Sequence, residues 1–136
     1  TTLENQNQHL GMGMIGELEN GLDEKEFLQF LKKTMKTDCV RHSALLHKSI
    51  KRVAVLGGSG SFAIDAAKNA GADAFISADF KYHDFFKTEN TMLLADIGHY
   101  ESEQYTKDLL HSFLKKKITN FAVLLSQINT NPISYL

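Results

Sequence analysis

Apolar residues recur along this chain at two spacings, close to two residues and close to 3.6, and each change of spacing marks a new element. Residues 1–21 are polar and rich in Asn, Gln and Gly up to Met14-Ile15, so they read as a linker or an arm in which GMGMIGE supplies a short edge strand. From Leu22 the period becomes helical. Asp23 is placed to cap, Glu26 follows three residues later, Leu22 and Phe27 fit a hydrophobic staple, and Phe27, Leu28, Leu31 and Met35 form one stripe. A stripe of that kind is a core face. Residues 38–42 suit a short strand, and RVAVL at 52–56 is a β-branched run ending at Gly57. Ser61 to Ala70 predicts a small-residue helix with Gly71 at its C-terminal cap, followed by the strand ADAFISA and a helical turn from His83 to Lys87. The strand TMLLADI comes next, then an amphipathic helix from Ser102 to Lys116 carrying Tyr105, Leu109, Leu110, Phe113 and Leu114, and FAVLLSQ as a last strand.

Strands alternating with helices predict an α/β fold, a layered sheet with several parallel strands flanked by helices. The 136 residues, 43% hydrophobic, suffice for one compact core, divided here into an arm (1–21) and an α/β lobe (22–136). Fifteen Lys and Arg against sixteen Asp and Glu favour neither a nucleic-acid backbone nor an anionic membrane as partner. No apolar run approaches the roughly 18–20 residues of a membrane span, and the opening residues carry no signal-peptide core. The single cysteine, Cys39, forms no internal disulfide and reads as a buried thiol, which together with the missing leader places the expectation in the cytoplasm. A start at Thr1 in linker-like sequence suggests a cut from a longer protein.

Three groups of residues carry candidate chemistry. Gly57-Gly58-Ser59-Gly60-Ser61 lies between a strand and a helix, where free amides can hold an anion, although it matches neither the dinucleotide nor the P-loop pattern and a tight structural turn explains it equally well. His99-Tyr100-Glu101-Ser102-Glu103 follows the strand TMLLADI at its C-terminal end. In a helix starting there, His99 and Glu103 stand on one face, so an imidazole and a carboxylate can converge on a divalent ion; a capping or solvated pair is the alternative. Asp96 either orients a ligand or is simply polar at a strand end. The third group, Asp79-Phe80-Lys81-Tyr82-His83-Asp84, gathers a His, a Lys and two carboxylates in one loop and can supply acid and base groups or be a solvated, capped loop. Lys115-Lys116-Lys117 suits a helix C-terminus, where cations are favoured.

GMGMIGEL, RVAVLGGSGSF, GADAFISADFKYHD, LADIGHYESE and TNPISYL follow one another in an order that resembles the C-terminal half of the NGG-interacting-factor-three-like family, also labelled type-two GTP cyclohydrolase homologues. The resemblance covers nearly the whole chain. It implies one lobe of a two-lobed α/β protein, a ring-shaped hexamer, and two divalent metal ions in a cleft between lobes. Family ligands are an adjacent pair of N-terminal histidines, a further N-terminal His and Asp, and a C-terminal His and Glu four apart. His99 and Glu103 match the last pair as metal ligands. Neither a paired-His nor an HTNLD-like motif occurs here, so the remaining ligands and the N-terminal half are expected from elsewhere, and the chain alone is expected to hold an incomplete site and to be inactive. The resemblance also places the KYHD loop in the cleft, with His83 as the candidate catalytic group beside Lys81 and Asp79, and it implies that in members with an inserted domain the arm at residues 1–13 returns the chain to the metal-binding core.

The resulting expectation is a metal-dependent, hydrolase-like protein acting on a nucleotide or other phosphate-containing small molecule when intact. Zinc, iron and manganese all accept His and carboxylate ligands. A non-catalytic, metal-dependent binding or homo-oligomeric assembly module is the alternative, and a metal-free nucleotide-binding domain is a third reading resting on the glycine loop alone.

Overall fold

The computed structural model describes residues 11–136. Five strands, β1 (Met14–Asp23), β2 (Arg41–His42), β3 (Ser49–Ser59), β4 (Ala74–Ala78) and β5 (Leu93–Asp96), form one sheet in the order β1-β3-β4-β5-β2. The central three, β3, β4 and β5, are parallel, while β1 and β2 close the two edges in antiparallel pairing with β3 and β5. Four helices accompany them: α1 (Glu24–Met35), α2 (Ile64–Asn69), α3 (His99–Glu103) and α4 (Thr106–Lys117). This is the α/β class that the alternation of periods predicts.

Burial on both faces explains why β4 and β5 read as unbroken apolar runs, while β3 alternates buried and exposed positions. Side chains alternate across the sheet, so Phe75 and Leu94 join Ala54, Leu56, Ile64 and Ala67 under α2, whereas Ala74, Ile76, Leu93 and Ala95 join Phe27 and Leu31 under α1. Each large aliphatic or aromatic side chain buried this way contributes roughly 1.5–3 kcal/mol. The stripe on α1 is therefore a core face, as its spacing predicts. Asp23 accepts the Lys25 N–H at 2.9 Å, and the helix stops where Lys36 turns left-handed at φ 51°. Glu24, rather than Glu26, is the structurally committed acid of the first turn: it is buried and accepts the Leu46 and His47 amides, each at 2.8 Å.

Several elements differ from the sequence expectation. FAVLLSQ forms no strand: it pairs with neither edge of the sheet, and Leu124 is 90% exposed. Strand propensity reflects packing against neighbours more than the segment itself. The single helix expected over Ser102–Lys116 is two, since α3 begins three residues earlier, at His99, and the chain breaks at Gln104-Tyr105 before α4. Gly57 and Gly58 belong to the end of β3 rather than to a free loop, and Ser61–Ala63 is a 3-10 turn ahead of α2. The short strand expected over 38–42 narrows to β2, and Cys39 is exposed, not buried. The edge strand foreseen in the arm is β1, which runs on to Asp23; the part of the arm before residue 11 lies outside the described residues.

Candidate metal centre

The three parallel strands end side by side, and each delivers a polar group to the same edge. Ser59 closes β3, Asp79 follows β4, and Gly98-His99 follows β5. Functional groups in open α/β sheets gather at such carboxyl ends.

His99 stands at the centre. Its Nδ1 lies 2.6 Å from Asp79 Oδ2 and its Nε2 lies 3.3 Å from Glu103 Oε2, one helical turn further on. Asp79 adopts a left-handed backbone, φ 59°, unusual for a residue with a side chain, and its Oδ2 also accepts the Ser59 hydroxyl at 2.6 Å. The Ser59 hydroxyl first, and His99 second, hold the Asp79 carboxyl below its ordinary range. Asp79 in turn raises the affinity of His99 for a proton, chiefly through their hydrogen bond. With an ionised carboxylate at Nδ1, that nitrogen carries the hydrogen and the lone pair of a neutral ring sits on Nε2. Nε2 and the Glu103 carboxylate then face each other as two acceptors. Only a cation between them, a proton on the ring or a metal ion, turns that meeting into attraction.

The close approach needs Gly58. Its φ is 69°, and a Cβ there would stand 2.6 Å from Glu103 Oε1 and 3.4 Å from His99 Cε1. The Gly58 N–H donates to Ser102 Oγ at 2.8 Å, and the Ser102 hydroxyl donates to the His99 carbonyl at 2.8 Å. The Gly60 N–H goes to the Ala78 carbonyl at 3.3 Å, and Ser77 occupies the space a side chain at residue 60 would need. Of the two readings of the glycine run, the geometry favours the structural turn: these amides are committed to protein partners.

Asp96 does not reach His99. Its Oδ1 accepts the Gly98 N–H at 3.0 Å, while Oδ2 accepts the Phe80 N–H at 3.1 Å and pairs with Arg41. It thus fixes the backbone on either side of the site. In the KYHD loop, Asp84 is buried, bonds the Lys81 N–H at 2.9 Å and pairs with Lys87 at 2.7 Å, so it is the capping acid of the turn Tyr82–Thr88. His83 is exposed on that turn with its ring 5.2 Å from the Tyr82 ring, and among the described residues it makes no hydrogen bond to Asp79, His99 or Glu103. Asp79 is therefore the part of that loop which the fold brings to His99. Ser59, Ser102 and Gly58 carry no sequence signal for their roles beyond the glycine run itself.

His99 and Glu103 line a cavity of about 480 Å³ between α3, the first turn of α4 and the terminal segment around Asn131 and Pro132. A second cavity of about 630 Å³, between β1, β3 and α2, is lined mainly by apolar residues such as Met14, Ile15, Val55, Phe62 and Phe75, with Asp65 as its one carboxylate and no His. The donor set at His99 fits part of a metal site. Ligand bonds of about 2.0–2.2 Å at a tetrahedral angle put two ligands about 3.4 Å apart, near the 3.3 Å between Nε2 and Oε2. A carboxylate on the far ring nitrogen is the usual support of a metal-binding histidine. Among the described residues no group of three or more His, Cys, Asp or Glu is arranged to hold an ion by itself.

Known proteins carry the same arrangement of sequence and fold. The chain is 36% identical to a GTP cyclohydrolase 1 type 2 homolog of Staphylococcus epidermidis over 96% of its length and 37% of that protein. A Staphylococcus aureus homolog of the same description is 32% identical over 93% of the chain and 36% of the relative. The chain thus spans little more than a third of the curated relatives it matches. Among solved structures, a Staphylococcus aureus protein superposes with a TM-score of 0.80 at 32% identity, over 93% of this chain and 42% of that one. A Bacillus cereus protein related to NIF3 gives 0.80 at 28% identity, over 98% and 38%. The family model for Duf34/NIF3 (NGG1p interacting factor 3) matches residues 2–132, and the chain belongs to that family.

Proposed function

We propose that His99 and Glu103 are one half of a dinuclear divalent-metal centre whose other ligands come from outside this chain, as the C-terminal part of a two-lobed protein. The observation that carries this reading is the 3.3 Å meeting of Nε2 and Oε2 with Asp79 fixed behind the ring. A divalent ion at this place supplies Lewis-acid activation of water, the chemistry of a hydrolase. The chain's own residues would present the imidazole through Asp79 and Ser59, present the carboxylate through the α3 turn, and leave room at Gly58 for both. The relatives' description as GTP cyclohydrolase homologs supports a nucleotide or other phosphate-containing small molecule as substrate. His83, at the surface beside Tyr82 on the loop that also carries Asp79, is the candidate proton-transfer group. Metal analysis of the complete protein tests the centre: near two equivalents of zinc, iron or manganese are expected, falling sharply in a His99→Ala, Glu103→Ala double variant. Unchanged metal in that variant would remove both residues as ligands.

One observation favours a second reading. Helix α4 buries none of its residues although Leu109, Leu110 and Phe113 are large and apolar, as suits a module for homo-oligomeric assembly, such as a hexamer, in which the metal is structural. Metal-dependent turnover of a phosphate ester or nucleotide by the complete protein separates the two.

A further inference from the structure

Glu101 stands between the two candidate ligands in sequence yet turns away from them, toward the closing motif TNPISYL. Glu101 is 5% exposed, its Oε1 accepts the Asn131 side-chain amide at 3.0 Å, and its Oε2 is buried with no hydrogen-bond partner. A buried carboxylate oxygen left alone is costly, and such groups in folded proteins have a reason. Gly98 allows it to lie there, because a Cβ at residue 98 would overlap Glu101 Oε2 and come within 3.1 Å of the Tyr135 hydroxyl oxygen. The orphan oxygen and the tyrosine hydroxyl therefore converge on one point. Burial first, and then the charge of Glu101, push the Tyr135 hydroxyl above its ordinary pKa, so it keeps its proton and remains a donor.

The segment so held forms a wall of the candidate centre. Thr130, Asn131, Pro132 and Ile133 line the 480 Å³ cavity opposite His99 and Glu103. Helix α3 is five residues long, too short to hold its own direction, and depends on outside anchors. Ser102 ties it to Gly58, Gln104 ties it to the Met35 carbonyl at 2.8 Å, and Glu101 ties it to Asn131.

We propose that Glu101 is a positioning residue that holds the terminal segment through the Asn131 amide on Oε1, with its unpartnered Oε2 facing the side of Gly98 where the Tyr135 hydroxyl lies, and thereby fixes the turn from which His99 and Glu103 project. This rests on the metal reading above. The test is made on the complete protein, with hydrogen exchange at residues 128–135 and Mn²⁺ affinity as the two readouts. Asn131→Asp sets carboxylate against carboxylate. It is expected to speed exchange in the segment and to weaken Mn²⁺ binding about tenfold, the lower end of what lost support of a ligand costs. An added negative charge by itself would tighten a cation, so weakening reads position and not field. The swap Glu101→Gln with Asn131→Asp restores an amide against a carboxylate and is expected to recover both readouts, and Tyr135→Phe to give a smaller change in the same direction. The proposal is overturned if Asn131→Asp leaves exchange unchanged, if it frees the segment while Mn²⁺ affinity stays within about twofold, or if the swap recovers neither. Absence of Mn²⁺ uptake by the unmodified protein overturns the metal reading and this role with it, and is told apart because it appears before any substitution.

Discussion

Helices α1 and α4 are each twelve residues long and carry apolar residues at helical spacing, yet they meet different fates. Phe27 of α1 is 2% exposed against Ile50, Ile76 and Leu93, whereas Phe113 of α4 is 57% exposed. The pattern states that a helix has an apolar face; whether that face is covered depends on where the preceding turn sends the helix. Helix α1 follows directly on strand β1 and is laid across the sheet, while α4 leaves through the Gln104-Tyr105 break and runs off it. The last quarter of the chain, from the Gln104-Tyr105 break, is thus held by a few directed polar contacts, among them the Tyr105 hydroxyl on the Thr34 carbonyl at 3.0 Å, where the rest is held by area.

The sharpest way to break that comparison is to delete matched side chains. Phe27→Ala removes a fully packed ring from the core under α1 and is expected to cost about 3–5 kcal/mol in denaturant unfolding. A loss below about 1 kcal/mol would mean α1 is not the covered helix. In the polar region the largest effect is expected at the site. Asp79→Asn keeps the shape but weakens the support of His99, and should lower divalent-metal affinity by about 10–100-fold in a calorimetric titration, with little change in melting temperature. A change in melting without a change in affinity would make Asp79 structural only.

Asp84 offers a smaller, pH-resolved effect. The Lys87 ammonium first and the Lys81 amide second hold its carboxyl below the ordinary range. A depressed carboxylate contributes stability above its unfolded pKa and loses it as pH falls through the folded value, so the contribution is present at pH 7 and gone in strong acid. Asp84→Asn should therefore cost about 1–2 kcal/mol at neutral pH, and the two unfolding curves should converge as pH falls into strong acid. Curves that stay parallel to acid pH would assign the loss to packing. The smallest effect is expected at the exposed helix, where Phe113→Ser should change the stability of this chain by less than about 0.5 kcal/mol.

Much of the fold was legible in order of appearance. The runs AFISA and LLAD are strands because residues covered on both faces have few other places to go, RVAVL is one because its β-branched residues suit a half-covered sheet, and the cap at Asp23 with the stripe behind it marks α1. FAVLLSQ is similarly apolar and is not a strand, since a strand depends on the partners it packs against and not on its segment alone. At the site, the spacing of His99 and Glu103 places them on one helical face, as the sequence alone predicts. That Asp79, twenty residues upstream, supports the ring, while His83 in the same loop faces outward, follows from the left-handed backbone at Asp79 and the turn capped by Asp84. Neither conformation has a periodicity to read.

The sequence by itself determined the family, the α/β class, the succession of central strands and the pair of residues four apart that converge, because local periods, caps and motif order are properties of neighbours along the chain. Only the tertiary structure decided which apolar faces are covered, that the glycine run is a close contact for Glu103, and that Glu101 turns inward to meet Asn131. Each of these depends on groups brought together across the sheet by packing, with sequence separations that no local pattern records.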